Sequence, residues 1–272
     1  LGSVVGVLTL LVLGSMGLTN ILLAYTLILL SMLILLRIDI TVITITMIIS
    51  VLWVCFFPTF NNWSNALWYQ QLRHLPENTS TLFTSYSPYQ KIDVMQDTNG
   101  DRYLYLDGLL HFGTNRWSRL NVMMGSVPAD LLHPHNSLVV GAGSMQLERL
   151  IADHGGHVTT VELDPVVVQA STEFFADYNL MNTLTNRAVV IDDAKHFVAN
   201  TTESFDLIVT DVPAAFAIQT ATLYSVPFYE SMASRLTNDG VLVVNLTTRL
   251  KEDNLVSRRI AASLLQVFDD VI

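Results

Sequence analysis

The sequence predicts membrane helices followed by an α/β domain with a doubly wound parallel sheet. Three observations support this fold class. Residues 4–36 and 40–57 carry no charge; residues 89–107 alternate apolar and polar positions around a turn; and strand-like and helix-like segments alternate from residue 137 onward. About 20 apolar residues suit a membrane span, and strand–helix alternation favours a parallel sheet covered by helices on both faces.

Three membrane segments are expected, at about residues 2–17, 20–36 and 39–57. Arg37 and Asp39 are the only charged side chains before Pro58, although the chain holds 14 Lys and Arg and 24 Asp and Glu. A cleaved signal peptide does not fit, because the apolar tract is too long and no basic region precedes it. Aromatic side chains typical of a membrane surface follow the last segment: Trp53, Phe56, Phe57, Phe60 and Trp63.

The composition narrows the possible partners. The 272 residues have a formal net charge of −10, and an acidic surface repels nucleic acid and attracts cations. We therefore expect no nucleic-acid partner, whereas the lipid bilayer and a small amine are compatible partners. The single cysteine, Cys55, excludes an internal disulfide framework. The seven histidines show no metal-binding spacing, so no metal is expected.

Between the membrane segments and the α/β domain, the pattern changes twice. Residues 58–87 are polar, aromatic and irregular, which predicts a linker along the membrane surface with a short helix around residues 66–75. Residues 88–115 predict a small β-hairpin domain, with strands at 89–94 and 102–107 joined by a turn at 98–100. The stretch at 109–112 is expected to continue this sheet.

Residues 116–272 predict the α/β domain, which is Rossmann-like and of the class I methyltransferase type. A helix at about 116–132 precedes strands at 137–140, 157–162, 188–191, 205–210 and 241–245. Ligands of such sheets bind at the carboxyl ends of the strands. The chain begins inside an apolar segment and ends where a further strand would start, which predicts a piece of a longer protein.

The first strand leads into Gly141 and Gly143, and the next strand ends at Glu162. Glycines let the backbone pass close to a ligand, and a carboxylate on the second strand can accept hydrogen bonds from a ribose diol. The dinucleotide pattern is incomplete, because its last glycine would fall at Gln146. These residues therefore predict a nucleotide or S-adenosyl site, with a tight turn that binds no ligand as the alternative.

Three later positions could add to this site. Asp193 precedes Ala194 at the end of the third strand and could accept a hydrogen bond from an adenine amino group or cap the following helix. Asp211 ends the fourth strand and could take a proton from an attacking amine or hold a cation. Tyr224 could line the same pocket or belong to the core.

In order and spacing, these landmarks resemble the spermidine synthase (polyamine aminopropyltransferase) family, in particular its membrane-embedded relatives. The resemblance runs from about Tyr89 to the end of the chain. It rests on residues 89–92, 106–108, 139–143, 161–164, 193–194, the strand ending at Asp211, and residues 223–224 and 228–229.

This resemblance implies that decarboxylated S-adenosylmethionine donates an aminopropyl group to an amine. It implies that Gln90 contacts this co-substrate, Glu162 its ribose and Asp193 its adenine. Asp211 would orient and deprotonate the amine. It also implies a homodimer, with a membrane complex as the alternative assembly.

The sequence departs from the family at the amine half of the site. His111 stands where the family usually has Gln, Arg116 and Trp117 replace an acidic pair, Ser144 replaces Asp, and no second Asp follows Asp211 closely. Since losing a buried ion partner costs a few kcal/mol, ordinary putrescine binding is not expected, and His111 and Tyr224 become candidate substrate contacts.

Three functional interpretations follow from these departures. The first is an aminopropyltransferase-like enzyme with an altered acceptor. The second is another S-adenosylmethionine-dependent transferase, and the third is a non-catalytic subunit of a membrane complex. Arg37 alone would place the α/β domain outside the cell. The cytoplasmic origin of S-adenosyl ligands places it in the cytoplasm, which is the location we expect.

Overall fold

The computed structural model describes residues 17–115, 118–213, 218–246 and 254–272. The chain divides into two compact units, the first ending at Asn115 and the second beginning at Arg116. The predicted membrane segment at 2–17 lies outside the described residues, except for Gly17.

Two helices open the described part of the first unit. Helix α1 spans Gly17–Leu35, and α2 spans Ile40–Arg73, which at 1.5 Å per residue makes α2 about 51 Å long. Asp39 caps α2 by accepting a hydrogen bond from the Thr41 N–H at 2.8 Å. Of the helices among the described residues, only α2 is both long and apolar enough to cross a membrane, and a shorter apolar stretch, Leu23–Leu35, lies in α1.

The linker predicted for residues 58–87 is not irregular. Helix α2 continues through Pro58 to Arg73 and ends at His74, whose left-handed backbone returns its N–H to the Tyr69 carbonyl. Tyr69 is fully buried against the neighbouring sheet. The helix therefore continues because its second half packs on that sheet, a tertiary contact that local polarity does not reveal.

The sheet of the first unit has four antiparallel strands in the order β1–β2–β3–β4. They are Ser80–Tyr86, Lys91–Gln96, Arg102–Leu106 and Leu109–Gly113. Strands β2 and β3 form the predicted hairpin, and β4 is the predicted continuation. Strand β1 was not predicted, since its two pairs of adjacent hydroxyl residues resemble a polar loop.

The second unit begins with short helical pieces rather than one helix. Helix α3 (Arg119–Asn121) passes through a π-helical turn (Val122–Ser126) into α4 (Val127–Leu132).

A doubly wound sheet follows, with strands β5 (Asn136–Gly141), β6 (His157–Glu162), β7 (Arg187–Ile191), β8 (Phe205–Asp211) and β9 (Leu236–Val244). Its helices are α5 (Gln146–Ala152), α6 (Pro165–Phe174), α7 (Ala194–Asn200), α8 (Ile218–Ala221), α9 (Val226–Ala233) and α10 (Leu255–Leu264).

All four strand pairs of this sheet are parallel, and the strand order is β7–β6–β5–β8–β9. The predicted Rossmann-like fold of this part is confirmed. Leu138 and Val140 belong to one hydrophobic cluster and Val139 to another, so both faces of β5 are buried. The strand order reverses between β5 and β8, which is where such sheets bind their ligands.

Candidate active site

The turn after β5 depends on glycine at two positions. Gly141 has φ +80°, and a Cβ there would lie 2.3 Å from the carbonyl oxygen of Asp211 on β8. A Cβ on Gly143 would lie 2.6 Å from Val167 Cγ1 and 2.8 Å from Glu162 Oε2. Side chains at these positions would therefore push apart the strand ends that the turn brings together.

Buried side chains hold this turn from behind. Ser171 on α6 donates its hydroxyl to the Gly143 carbonyl at 2.5 Å, and Asn179 donates its amide to the Ser144 carbonyl at 2.7 Å. The two donor residues and the two residues that supply the carbonyl groups are all buried. The turn therefore keeps one conformation without a ligand, which lowers the conformational cost of binding one.

Glu162 lies beside this turn at the carboxyl end of β6. Its Oε1 accepts the Asp164 N–H at 3.0 Å. Burial raises the pKa of the Glu162 carboxyl above its ordinary value, while N–H groups of Asp164, Leu163 and Gly143 oppose that rise. Hydroxyl donors from a ligand would favour the charged form further, which makes Glu162 suited to a diol.

Asp193 follows β7 and caps α7. Its Oδ1 accepts the N–H groups of Lys195 at 2.8 Å and His196 at 3.3 Å, so the helix-capping alternative is realised. The capped helix begins at Ala194, which packs against the core. The side chain of Asp193 is exposed, and its Oδ2 accepts no hydrogen bond from the described residues.

The neighbouring carboxylate, Asp192, has a different partner. Its Oδ2 lies 2.7 Å from His196 Nδ1. This hydrogen bond lowers the pKa of Asp192 and raises that of His196. Asp192 is therefore paired with His196, whereas Asp193 uses only Oδ1 in capping α7.

Asp211 ends β8 directly beside Gly141, with which it is in register. Its backbone carbonyl accepts the Ala142 N–H at 3.3 Å, and its Oδ1 accepts the side-chain amide of Asn245 at 2.8 Å. Asp211 thus lies at the point where the strand order reverses, next to the glycine turn.

Tyr224 is buried and directed at the backbone. Its hydroxyl lies 3.0 Å from the Val212 carbonyl and 3.2 Å from the Pro213 carbonyl. The core alternative considered for this residue is therefore realised, since the hydroxyl holds the segment that follows Asp211.

The remaining predicted site residues, Gln90 and His111, belong to the first unit. Gln90 is half-buried in the turn before β2, where its N–H donates to the Ser87 hydroxyl at 3.1 Å. His111 is exposed on β4. Their roles in binding stay predictions.

The family model for the spermine/spermidine synthase domain matches residues 119–271. That match covers more than half of the chain. The chain belongs to this family. The predicted resemblance is thereby confirmed, and the matched segment includes the glycine turn, Glu162, Asp193 and Asp211.

Several synthases are similar to this chain over more residues than the family model matches. The polyamine aminopropyltransferase 2 of Aquifex aeolicus is 29% identical over 186 residues, which are 66% of this chain and 36% of the relative. That of Oceanobacillus iheyensis is 30% identical over 193 residues, which are 69% of this chain and 36% of the relative. That of Thermoplasma acidophilum is 26% identical over 215 residues, 77% of each chain. The chain thus spans about a third of the length of the first two.

A solved structure supports the synthase fold. A spermidine synthase in complex with the transition-state analogue AdoDATO superposes with a TM-score of 0.62 at 22% identity, covering 70% of this chain and 66% of that chain. Spermidine synthase from Thermotoga maritima gives a TM-score of 0.61 at 22% identity, covering 70% of this chain and 65% of that one.

Sequence reasoning missed three polar side chains of this site: Ser171, Asn179 and Asn245. Asn245 forms a glycosylation acceptor pattern with Leu246 and Thr247, which does not indicate this role. Its position directly after a strand was the informative signal, because polar residues at the carboxyl ends of parallel strands meet at one edge of the sheet.

Proposed function

We propose that the protein is a membrane-anchored aminopropyltransferase that moves an aminopropyl group from decarboxylated S-adenosylmethionine to an amine. One observation carries this proposal. Glu162 and Asp211 flank the glycine turn at the strand-order reversal, in a chain of the spermine/spermidine synthase family. Glycine at 143 lets the turn pass close to Glu162, because a Cβ there would lie 2.8 Å from Glu162 Oε2.

Each carboxylate has a separate task in this proposal. Glu162 accepts hydrogen bonds from the ribose diol, and Asp193 accepts one from the adenine amino group through Oδ2. The amine nitrogen forms a bond to the aminopropyl carbon beside the sulfonium, and the carbon–sulfur bond breaks with its electron pair staying on sulfur. Asp211 accepts the proton that the nitrogen loses.

The acceptor differs from a common diamine. No Asp or Glu occurs between Asp211 and Glu230, and Ser144 is fully buried with its carbonyl bonded to Asn179. A second ammonium group would have to leave water without a counter-charge from these segments, which is costly. An amine with a single positive charge fits this half of the site better than putrescine does.

Membrane anchoring by α2 is part of the proposal. Its apolar first half is almost entirely exposed, and its rings from Trp53 to Trp63 form a continuous series with neighbouring centroids 5.8–6.4 Å apart. Such a series is typical of a helix leaving the bilayer. The cytoplasmic origin of the nucleoside places the second unit in the cytoplasm. Dimerisation is a further expectation of the proposal.

Calorimetric titration of the detergent-solubilised protein tests the nucleoside. The ligands are decarboxylated S-adenosylmethionine, S-adenosylmethionine and methylthioadenosine, and the variants are Asp193→Ala and, as control, Asp192→Ala. Preference for the decarboxylated form that only Asp193→Ala weakens supports an aminopropyl donor. Preference for S-adenosylmethionine indicates another transferase, and no binding indicates a non-catalytic subunit.

A screen of amines tests the acceptor. With decarboxylated S-adenosylmethionine present, release of methylthioadenosine is measured with monoamines and with putrescine. Faster release with monoamines supports the altered acceptor site. Equal or faster release with putrescine contradicts it while leaving aminopropyl transfer intact.

A further inference from the structure

The carboxyl ends of β8 and β9 are joined by a side-chain hydrogen bond. Asn245, directly after β9, donates its amide Nδ2 to Asp211 Oδ1 at 2.8 Å. The backbone N–H of Asn245 donates to the Thr210 carbonyl at 3.0 Å, so the chain is fixed to β8 immediately next to this amide. Both side chains are half-buried, so neighbouring atoms restrict the rotamers that they can adopt.

Tyr224 fixes the backbone on both sides of this pair. Its hydroxyl lies 3.0 Å from the Val212 carbonyl and 3.4 Å from the Asn245 carbonyl. Tyr224 is itself buried in the core. The Tyr224 hydroxyl therefore lies between the backbone of Val212 and that of Asn245. This contact helps to keep the Asn245 amide next to the Asp211 carboxylate.

We infer that Asn245 is a positioning residue that holds Asp211 by Oδ1 and directs Oδ2 toward the acceptor amine. This inference rests on the proposed function. An amide suits the role, because it donates a strong hydrogen bond to a carboxylate and cannot take up the proton itself. When the new carbon–nitrogen bond forms and the carbon–sulfur bond breaks, the proton from nitrogen goes to Oδ2.

Turnover of three variants tests the role. Asn245→Leu removes the donor at similar volume, and we expect kcat to fall about 100-fold, since a displaced reacting group can cost that much. The affinity for decarboxylated S-adenosylmethionine should stay within twofold of the wild type. Asn245→Gln keeps an amide and should recover part of kcat.

Thr237→Val is the matched control. Thr237 on β9 donates to Asp206 Oδ1 on β8 at 3.0 Å, at the opposite end of the same strand pair. This variant should keep the wild-type kcat, although it also removes a hydrogen bond between β9 and β8. Equal losses of kcat in Thr237→Val and Asn245→Leu, or no recovery in Asn245→Gln, would overturn the inference.

A measurement without turnover separates this inference from the proposed function. The infrared carboxylate band of Asp211, assigned by difference from Asp211→Asn, should shift in Asn245→Leu and stay unchanged in Thr237→Val. If the wild type turns over no amine, the proposed function fails, and the band still decides whether Asn245 holds Asp211. An unchanged band in Asn245→Leu overturns the inference.

Discussion

At the scale of single residues, Gly143 lies close to the carboxylate proposed to bind the ribose. Because a Cβ would lie 2.8 Å from Glu162 Oε2, Gly143→Ala should displace that carboxylate. We expect the affinity for decarboxylated S-adenosylmethionine to fall by at least tenfold in calorimetry, which corresponds to about 1.4 kcal/mol.

Gly155→Ala is the control for this prediction. Gly155 has φ +96° and open space around it, so a methyl group there strains the backbone without touching Glu162. This variant should lower the stability by about 1 kcal/mol and leave nucleoside affinity unchanged. Equal affinity losses in both variants would mean that Gly143 acts through stability alone.

At the scale of elements, a buried ion pair joins α5 to the edge of the central sheet. Arg187 Nε on β7 lies 3.2 Å from Glu148 Oε1, and Thr160 on β6 donates to Oε2 at 2.9 Å. The side chains of Glu148 and Arg187 are only 0% and 4% exposed. Burial raises the pKa of Glu148 to about 7, against the opposing effects of Thr160 and Arg187.

Because the pKa of Glu148 is raised, we expect the free energy of unfolding to fall as the pH rises. The folded state binds the proton of Glu148 more tightly than the unfolded state does. Its contribution to stability is therefore present below pH 4.5 and is lost as the pH rises through about 7, a loss of about 3 kcal/mol. Urea unfolding across this range should show the decline.

The variant Glu148→Gln should remove this decline, because its neutral amide stands in for the protonated carboxyl at every pH. The exposed Glu173→Gln serves as the control and should keep the wild-type slope. A decline that persists in Glu148→Gln would assign the pH dependence to other groups.

A second polar cluster fastens α2 to the first sheet. Asp93 on β2 is fully buried and accepts hydrogen bonds from Tyr69 of α2 at 2.6 Å and from Thr84 of β1. Lys91 lies 2.9 Å from the same carboxylate and donates to Asn65 of α2. The second half of α2 is therefore bound to the strands by hydrogen bonds as well as by packing.

The variant Tyr69→Phe should loosen this attachment. A hydrogen bond to a charged group contributes about 1.5–3 kcal/mol, so amide hydrogen exchange should quicken in β1 and the last turns of α2. Tyr103→Phe removes a similar bond, to Asp97 at 2.9 Å, that does not touch α2, and should leave α2 protected. Equal effects would contradict a specific role of Tyr69.

At the scale of the whole molecule, the proposed anchoring depends on the exposed face of α2. Ile49 and Leu52 are 61% and 64% exposed. Changing both to Lys should release the protein from vesicles in a urea wash at neutral pH, where both ammonium groups are charged, because each charge costs about 2.5–3.5 kcal/mol near the centre of a span. Sedimentation with the membranes measures this.

Leu131→Lys is the control, since Leu131 is 76% exposed on α4 in the second unit. This variant should stay with the vesicles. A double variant that also stays bound would show that α2 does not anchor the protein by itself.

Much of the second unit could be predicted from the sequence, because its information is local. Strand β5 contains the apolar run at residues 138–140, and β6, His157–Glu162, begins and ends where the pattern placed it. The glycine turn and the carboxylates at the strand ends follow from the same rule. The role of Gln90 came from the family resemblance alone, whereas those of Glu162, Asp193 and Asp211 were also predicted from their places at strand ends. All of these roles stay proposals.

The sequence by itself determined the Rossmann-like fold of the second unit, the family and the place of the glycine turn, since strand periodicity and glycine spacing are encoded by neighbouring residues. Only the tertiary structure decided that residues 58–73 continue α2 and that Asn245 holds Asp211. The hydrogen bonds Tyr69–Asp93 and Asn245–Asp211 join residues 24 and 34 positions apart. The partners of a buried carboxylate depend on which residues the folded chain brings close to it. The pattern of neighbouring residues in the sequence does not encode those distances.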